Sequence, residues 1–369
     1  MANLVALEMT LGPKLLDAIS QVRDNGDAFC ILDPRDSELR RAEVLRAIRP
    51  THVLRNDGSY ELSEGEPLDD GDGLVMLTSG SSGTPKAAIH TWDALDASAR
   101  LTSDALGSDA VWWATLPPVH IGGLAVLLRS LYRESPVIFA TTVRDALEQG
   151  ATHVAVVRTQ LFREDFSDFA CVLLGGAAPP AHLASNVVTT WGMTETGSGV
   201  VYDGQPLPEV SLACDDDEIL VASPTLFRSY RDSPRPERIL GDTSYFPTGD
   251  GGRFENGLLS VSGRRAYVIN TGGEKVWPER LEEILSSLDG VRDLAIVGRD
   301  DDEWGQVITL VVAPTGTASN EDILAAARGL VRQALGPWAQ PKAIYSVAAI
   351  PRTPNGKIQR SALAELIRS

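Results

Sequence analysis

Apolar positions along the 369-residue chain fall into three textures. From residue 74 to about 191, short apolar runs alternate with helical patterns: Leu74-Val-Met-Leu77, Val111-Trp-Trp-Ala-Thr-Leu116, a helical stretch from Gly122 to Tyr132, Val137-Ile-Phe-Ala140, Val154-Ala-Val-Val157 and Cys171-Val-Leu-Leu174. Such alternation predicts βαβ units and a largely parallel sheet. Between about 200 and 262 the runs shorten and Gly, Pro and Asp punctuate them, as in Glu218-Ile-Leu-Val-Ala222 and Gly257-Leu-Leu-Ser-Val261. That texture predicts a small, mainly antiparallel sheet or barrel. After Gly263-Arg264 come two strands, Leu294-Ala-Ile-Val297 and Val307-Ile-Thr-Leu-Val-Val312, and a helix over about 321–335. Asn320 is its expected cap, Glu321 and Asp322 suit its first turn, Ile323, Ala327, Leu330 and Val331 share a face, and Gly336 stops it.

The expected architecture is therefore a large α/β domain over residues 1–263, holding parallel sheets, helices and a β-rich subdomain at about 200–262, followed by a small α+β domain over 264–369. A chain of this length supports more than one core. Its formal charge of -17 and pI near 4.7 argue against nucleic acid and against anionic membrane surfaces. Residues 56–73, rich in Asp, Glu and Gly, read as an acidic surface connection. Cys30, Cys171 and Cys214 are scattered, which suits a reduced cytoplasm, offers neither a disulfide framework nor a zinc site, and leaves each expected to be a small buried apolar group. Neither a secretory signal nor a membrane-length apolar run is present, so a soluble cytoplasmic protein is expected, with a homodimer left open.

Candidate chemistry concentrates where the Leu74-Val-Met-Leu77 strand runs out. Gly80 and Gly83 let backbone N–H groups converge on an anion, Thr78, Ser79, Ser81, Ser82 and Thr84 add donors, Lys86 adds charge and Pro85 stiffens the exit. Pro85 also separates Thr84 from Lys86, which excludes the P-loop of ATPases. A second tract lies far downstream, Pro351-Arg-Thr-Pro-Asn-Gly-Lys-Ile-Gln-Arg360, where Asn355-Gly356 predicts a tight turn presenting Lys357.

These tracts, with Gly192-Met-Thr-Glu-Thr196, Thr248-Gly-Asp250 and Gly263-Arg264, resemble the acyl-adenylate-forming superfamily of acyl-CoA synthetases, peptide-synthetase adenylation domains and luciferases. The likeness runs from about residue 74 to the C-terminus and implies ATP, Mg²⁺ and coenzyme A as reactants and cofactor. It implies that the 78–86 loop holds the departing phosphates, that Lys357 bridges the attacking carboxylate and AMP, that Glu195 is the Mg²⁺ ligand and that Thr194 contacts the α-phosphate. Trp191, in place of the more usual Tyr, either offers a face for adenine beside Gly192 and Met193 or packs in the core. Asp250 is implied to accept the ribose hydroxyls, and Arg264 to lie near ribose and phosphate. Gly272 and Gly273, in Thr271-Gly-Gly-Glu-Lys-Val-Trp-Pro278, match the segment that lets a pantetheine arm pass close to backbone in the second step. In that superfamily the small domain turns between half-reactions, and at the usual pivot this chain has Ala266, a departure.

Leu116-Pro-Pro-Val-His-Ile-Gly-Gly-Leu124 with Arg129-Ser130, Gln160-Leu161, and Val200-Val-Tyr-Asp-Gly-Gln-Pro-Leu207 resemble one branch, the o-succinylbenzoyl-CoA synthetases of menaquinone biosynthesis. That implies an aromatic dicarboxylate substrate, with His120, Arg129, Gly175, Gly176, Ser198 and Gly199 at the acyl site. Arg129 either favours the second carboxylate or simply reaches solvent from its helix, and His120 either lines the pocket or is structural. Competing functions are a ligase for another aryl or medium-chain acid, a carrier-protein-loading enzyme, and a catalytically silent nucleotide-binding protein.

Overall fold

The apolar runs at 154–157 and 171–174 become neighbouring parallel strands, His153–Val157 and Cys171–Gly175, whose Val154 and Val172 are sealed from solvent. Strands buried on both faces need no polar alternation, which is why these runs are continuous. The computed structural model that contains them describes residues 1–78, 86–177, 179–180, 182–316, 318–352 and 357–367. The chain divides into two units: Met1–Ala213, Leu220–Pro247 and Asn256–Leu259 form the first, and Cys214–Ile219, Thr248–Glu255 and Ser260–Ser369 the second. The division thus crosses the chain several times, not once.

In the first unit a seven-stranded sheet is ordered Gln205–Pro206, Ser198–Tyr202, Val187–Met193, Cys171–Gly175, His153–Val157, Trp112–Trp113, Val137–Ile138. From Val187–Met193 onward the neighbours are parallel, while Ser198–Tyr202 returns antiparallel. The Val111–Leu116 run was expected to be one strand, yet only Trp112–Trp113 pairs.

A second, eight-stranded sheet includes Leu4–Glu8, Ala28–Leu32, His52–Arg55 and Gly58–Glu61, so the first seventy residues, silent in sequence, complete it beside Asp72–Thr78 and Lys86–Thr91. The acidic stretch 56–73 is accordingly more than a surface connection. It holds the edge strand Gly58–Glu61, and Asp72, 1% exposed, receives Arg228 at 2.7 and 2.8 Å. Helices Trp92–Leu106 and Ile121–Arg133 pack into one core with residues of both sheets, such as Leu74, Phe29, Ala155 and Leu173. Full burial of Leu124 or Leu127 there contributes about 1.5–3 kcal/mol each.

Between 211 and 264 lies a five-stranded sheet ordered Ser211–Asp215, Glu218–Ala222, Thr243–Glu255, Arg238–Leu240, with Leu258–Arg264 also paired to Thr243–Glu255. The second unit has its own sheet: Glu274–Val276, Ile269–Thr271, Gly305–Pro314 and Val291–Asp301, with Ala343–Ser346 parallel to Gly305–Pro314. Helices Pro278–Ile284 and Asn320–Ala334 share one apolar cluster with it, and Arg360–Leu366 contributes to another. Two expectations are corrected here. The cap of the Asn320–Ala334 helix is Ser319, whose Oγ accepts from Asp322 N at 3.1 Å, whereas the Asn320 side chain instead accepts from Ser346. Ser319 and Asp322 stand three apart, the spacing that lets one cap and the other fill the first turn. Cys214 is exposed, unlike Cys30 and Cys171.

Candidate active site

Strand Val187–Met193 ends in a single turn of 3-10 helix, Thr194–Thr196, before Ser198–Tyr202 returns. The register shifts between Trp191 and Gly192, and this bulge draws the two strands together. A Cβ on Gly192 would stand 2.2 Å from the Ser198 carbonyl oxygen, and one on Gly199 1.8 Å from Thr190 Oγ1. Fully buried Thr196 closes the turn: its Oγ1 accepts from Met193 N at 2.9 Å and donates to the Ser198 carbonyl at 2.7 Å. Thr194 and Glu195 are thereby fixed at the carboxyl end of a parallel strand, where open α/β sheets bind ligands.

Three side chains from distant segments meet beside this turn. Tyr230, on Ser229–Tyr230, donates its hydroxyl to Glu195 Oε1 at 3.1 Å, and the Lys86 ammonium lies 4.9 Å from the Tyr230 ring centre. They meet because Ser229–Tyr230 pairs antiparallel with Lys86–Thr91, putting Tyr230 opposite Ala88. Phe227, fully buried, packs on Tyr230 at 4.7 Å and donates its N–H to the Glu195 carbonyl at 2.9 Å. Behind Phe227 sits His90, also fully buried, with ring centres 6.3 Å apart. Burial drives its pKa down to about 4 against the opposing pull of the Thr194 main chain. Neither ring nitrogen reaches hydrogen-bond geometry with a described partner. Thr78 pairs with Lys86 across the strands that flank the hydroxyl-rich loop, while Ser79, Gly80, Ser81, Ser82, Gly83, Thr84 and Pro85 lie outside the described residues.

Around the expected acyl site the outcome is mixed. Arg129 does not reach solvent; it is 3% exposed, with its guanidinium over the Trp112 ring at 4.6 Å. Its Nε and Nη1 have no hydrogen-bond partner among the described residues, and burial lowers its pKa below the ordinary guanidinium range. His120 is the residue before helix Ile121–Arg133, and the carboxyl of Asp33 is held below the usual range chiefly by Arg35. The Ser198 hydroxyl is engaged by Ser98 at 2.6 Å, and Gly199 is demanded by Thr190, so the protein's own packing already requires small residues there. Gly175 faces the Thr190 methyl, where a Cβ would stand 3.0 Å away, and Gly176 adopts φ +87°. Trp191 lies part-exposed on its strand, opposite Val201.

In the second unit, Asp250 is 8% exposed and its Oδ1 lies 2.8 Å from Arg264 Nε. Arg264 Nη1 also donates to the Thr248 carbonyl at 3.2 Å, and the Thr248 hydroxyl, accepting from Asp250 N at 3.1 Å, donates to the Ile219 carbonyl at 2.7 Å. Glu218 accepts from Gly249 N and from Arg265, each at 2.9 Å, completing a brace around the Thr248-Gly-Asp250 corner. Neither Glu218 nor Tyr230 was identified from sequence; both act through pairings between chain segments that no local spacing announces.

Gly272 and Gly273 form the turn between Ile269–Thr271 and Glu274–Val276, with φ +59° and +87°, the left-handed pair a two-residue hairpin favours. A Cβ on Gly272 would meet the Trp304 ring at 2.9 Å, whereas nothing lies within 4 Å of one on Gly273. The Asn355–Gly356 turn falls outside the described residues; beside it, Arg352 and Ile358 bridge antiparallel, and Lys357 is exposed. Three residues on, Arg360, 8% exposed, is held by Glu279 at 3.1 Å and Glu282 at 2.8 and 2.9 Å. That bidentate pair ties the Lys357 segment to the helix following the glycine hairpin.

Among the described residues no group of three or more His, Cys, Asp or Glu side chains could hold a metal by itself. A single carboxylate would be enough for Mg²⁺, which keeps most of its shell as water and substrate phosphate, so the expectation for Glu195 fits the residues present. No described helix is long and apolar enough to cross a membrane.

Comparison with known proteins adds three findings. Models of the AMP-binding enzyme family match residues 36–224, and its C-terminal domain matches 280–357. The match begins well before residue 74, where the resemblance was expected to start. "Probable 2-succinylbenzoate--CoA ligase" of Mycobacterium tuberculosis is 35% identical over 332 residues, covering 82% of this chain and 86% of the relative. The 2-succinylbenzoate–CoA ligase of Bacillus cereus strain Q1 is 28% identical over 396 residues, covering 93% and 80%. The o-succinylbenzoate CoA synthetase of Bacillus subtilis, solved with its acyl-adenylate intermediate, shares the fold at TM-score 0.83 and 23% identity, covering 98% of this chain and 88% of that one. ATP-bound MatB from Rhodopseudomonas palustris does so at TM-score 0.84 and 21% identity, covering 100% and 89%.

Proposed function

The chain belongs to the AMP-binding enzyme family, and from that premise we propose that it joins o-succinylbenzoate to coenzyme A through an acyl-adenylate, releasing AMP and pyrophosphate, in menaquinone biosynthesis. The observation that carries the reading is the identity of 35% across 332 residues to a ligase named for that acid. Its substrates are small molecules, and their cytoplasmic supply suits a cytoplasmic enzyme.

A carboxylate is a poor electrophile, so one of its oxygens first attacks the α-phosphorus of ATP and pyrophosphate leaves. The thiol sulfur of coenzyme A then attacks the acyl carbon, and AMP leaves with the bonding pair. The first step drives an anion onto a polyanion, so cations and oriented donors supply most of the stabilisation. Lys86 and the hydroxyl-rich loop after Thr78 take the departing phosphates, Thr194 the α-phosphate, and Lys357 the attacking carboxylate. Bound Mg²⁺ would neutralise phosphate charge at Glu195. Asp250, held by Arg264 and by Thr248, accepts the ribose hydroxyls, and Trp191 offers its exposed part to adenine. Coenzyme A reaches the intermediate along the open Gly273 face of the second unit.

Arg129 supports the choice of a dicarboxylate. A buried cation with no described carboxylate or hydrogen-bond acceptor is costly, and the distal carboxylate of o-succinylbenzoate is the anion that would relieve it. Arg129→Met, neutral but of similar bulk, raises the Michaelis constant for the acid about 10- to 100-fold while that for ATP holds. An unchanged constant removes Arg129 from the acyl site. For the function itself, the enzyme is incubated with ATP, Mg²⁺, coenzyme A and an acid panel, and products are read by mass spectrometry. o-Succinylbenzoyl-CoA is the expected product; turnover of benzoate or a medium-chain acid without it overturns the assignment.

A further inference from the structure

We propose that Tyr230 is a positioning residue that holds Lys86 and Glu195 side by side yet prevents their collapse into an ion pair, so that the cation stays available to phosphate and the carboxylate to metal. The inference rests on the reading of Lys86 and Glu195 given above. An ammonium and a carboxylate that both border one tyrosine could close on one another if it were absent, and a closed pair would have to be broken each time the magnesium–nucleotide complex entered. Tyr230 satisfies both from opposite ends of one rigid side chain. Its ring face takes the ammonium at 4.9 Å, and its hydroxyl donates to Glu195 Oε1 at 3.1 Å. No ion pair joins Lys86 to Glu195 among the described residues.

The ring itself has little freedom. It packs on Phe227 at 4.7 Å, Phe227 is wedged edge-on against Phe246 at 5.1 Å, and the Tyr230 backbone is in register with Ala88 on the strand that begins at Lys86. Because Phe227 N–H also holds the Glu195 carbonyl at 2.9 Å, main chain and side chain of Glu195 are oriented from the same short segment. A bond at Oε1 also decides which way the carboxylate plane turns, a requirement for a cation that demands near-octahedral geometry.

Two variants of the full-length protein separate the two contacts. Tyr230→Phe keeps the ring and loses only the hydroxyl; Tyr230→Leu loses both. Binding of ATP is measured by calorimetry without acid substrate, once with a chelator and once with Mg²⁺, and Glu195→Gln is run alongside. Tyr230→Phe should bind metal-free ATP as the parent does and the magnesium complex about 3- to 10-fold more weakly, the share of one hydrogen bond. Tyr230→Leu should weaken metal-free ATP as well, by about 2- to 5-fold. Equal magnesium–ATP affinity in parent and Tyr230→Phe, with Glu195→Gln impaired, overturns the role of Tyr230 and leaves Glu195 as the metal residue. Unchanged affinity in Glu195→Gln overturns both. A uniform loss of both affinities in Tyr230→Phe marks a merely structural residue, and since that variant keeps the packing ring, it decides the matter even if Tyr230→Leu does not fold.

Discussion

Two sets of motif glycines, Gly192 and Gly199 in the first unit and Gly273 in the second, do opposite work. At the Thr194–Thr196 turn of the first unit, Gly192 and Gly199 have no room: a Cβ on either would press to within 2.2 Å of its neighbours. At the hairpin of the second unit, Gly273 faces open space, and its φ of +87° is the only structural demand on it. Motif glycines therefore cannot be read alike. The first pair fixes the geometry of Thr194 and Glu195 by forcing strands together, which is preorganisation. Gly273 keeps a backbone surface uncovered, which is access.

The sharpest break of this contrast is Gly192→Ala. A methyl group there meets a carbonyl oxygen in a two-strand bulge rather than a flexible side chain, so a loss of about 3 kcal/mol or more is expected in urea unfolding, with adenylate formation lost alongside. Stability within about 0.5 kcal/mol of the parent would show that the turn is loosely held.

Almost as large is an acid effect behind the same turn. His90 binds its proton near pH 4 in the folded chain and near 6.5 when unfolded, so between those values the unfolded state holds more protons and stability falls as pH falls. Its full contribution, about 3 kcal/mol, is present above pH 6.5 and lost by pH 4. His90→Met, compared with the parent across that window, should remove roughly one proton from the slope. Parallel slopes would mean that His90 is not buried as described.

Smallest in stability is Gly273→Ala. Backbone strain at positive φ costs about 1 kcal/mol, but a methyl group on the open face would narrow the proposed thiol path, so transfer from supplied acyl-AMP should slow while pyrophosphate exchange holds. Equal slowing of the two would assign Gly273 to the fold, like Gly192, and erase the contrast.

Much of the fold was legible because buried parallel strands have continuous apolar sequences, as at Val154 and Val172, and because the Asn320–Ala334 helix shows its inward face at Ile323, Ala327 and Val331. What stayed hidden depends on pairing at long range. Nothing in the sequence of residues 1–70 announces that Leu4–Glu8 joins Ala28–Leu32 and His52–Arg55, and nothing near Tyr230 points to Lys86 or Glu195. For Arg129 the sequence left two readings open, a place at the acyl site or a head reaching solvent; its helix, buried from Gly123 through Ser130, excludes the second. For the candidate site the motifs named the residues proposed above, Thr248 among them, but the hydrogen bonds of Thr248 and the braces Glu218, Phe227 and His90 became visible only in three dimensions.

The central claim is that two separate places on the second unit serve two half-reactions, Lys357 the adenylation and the Gly272–Gly273 hairpin the thiol transfer. Lys357→Ala tests it most directly, with each half-reaction assayed alone. The account predicts that ATP–pyrophosphate exchange supported by o-succinylbenzoate falls about 100-fold or more, while coenzyme A transfer from supplied acyl-AMP stays within about threefold of the parent. Equal loss in both assays would contradict it.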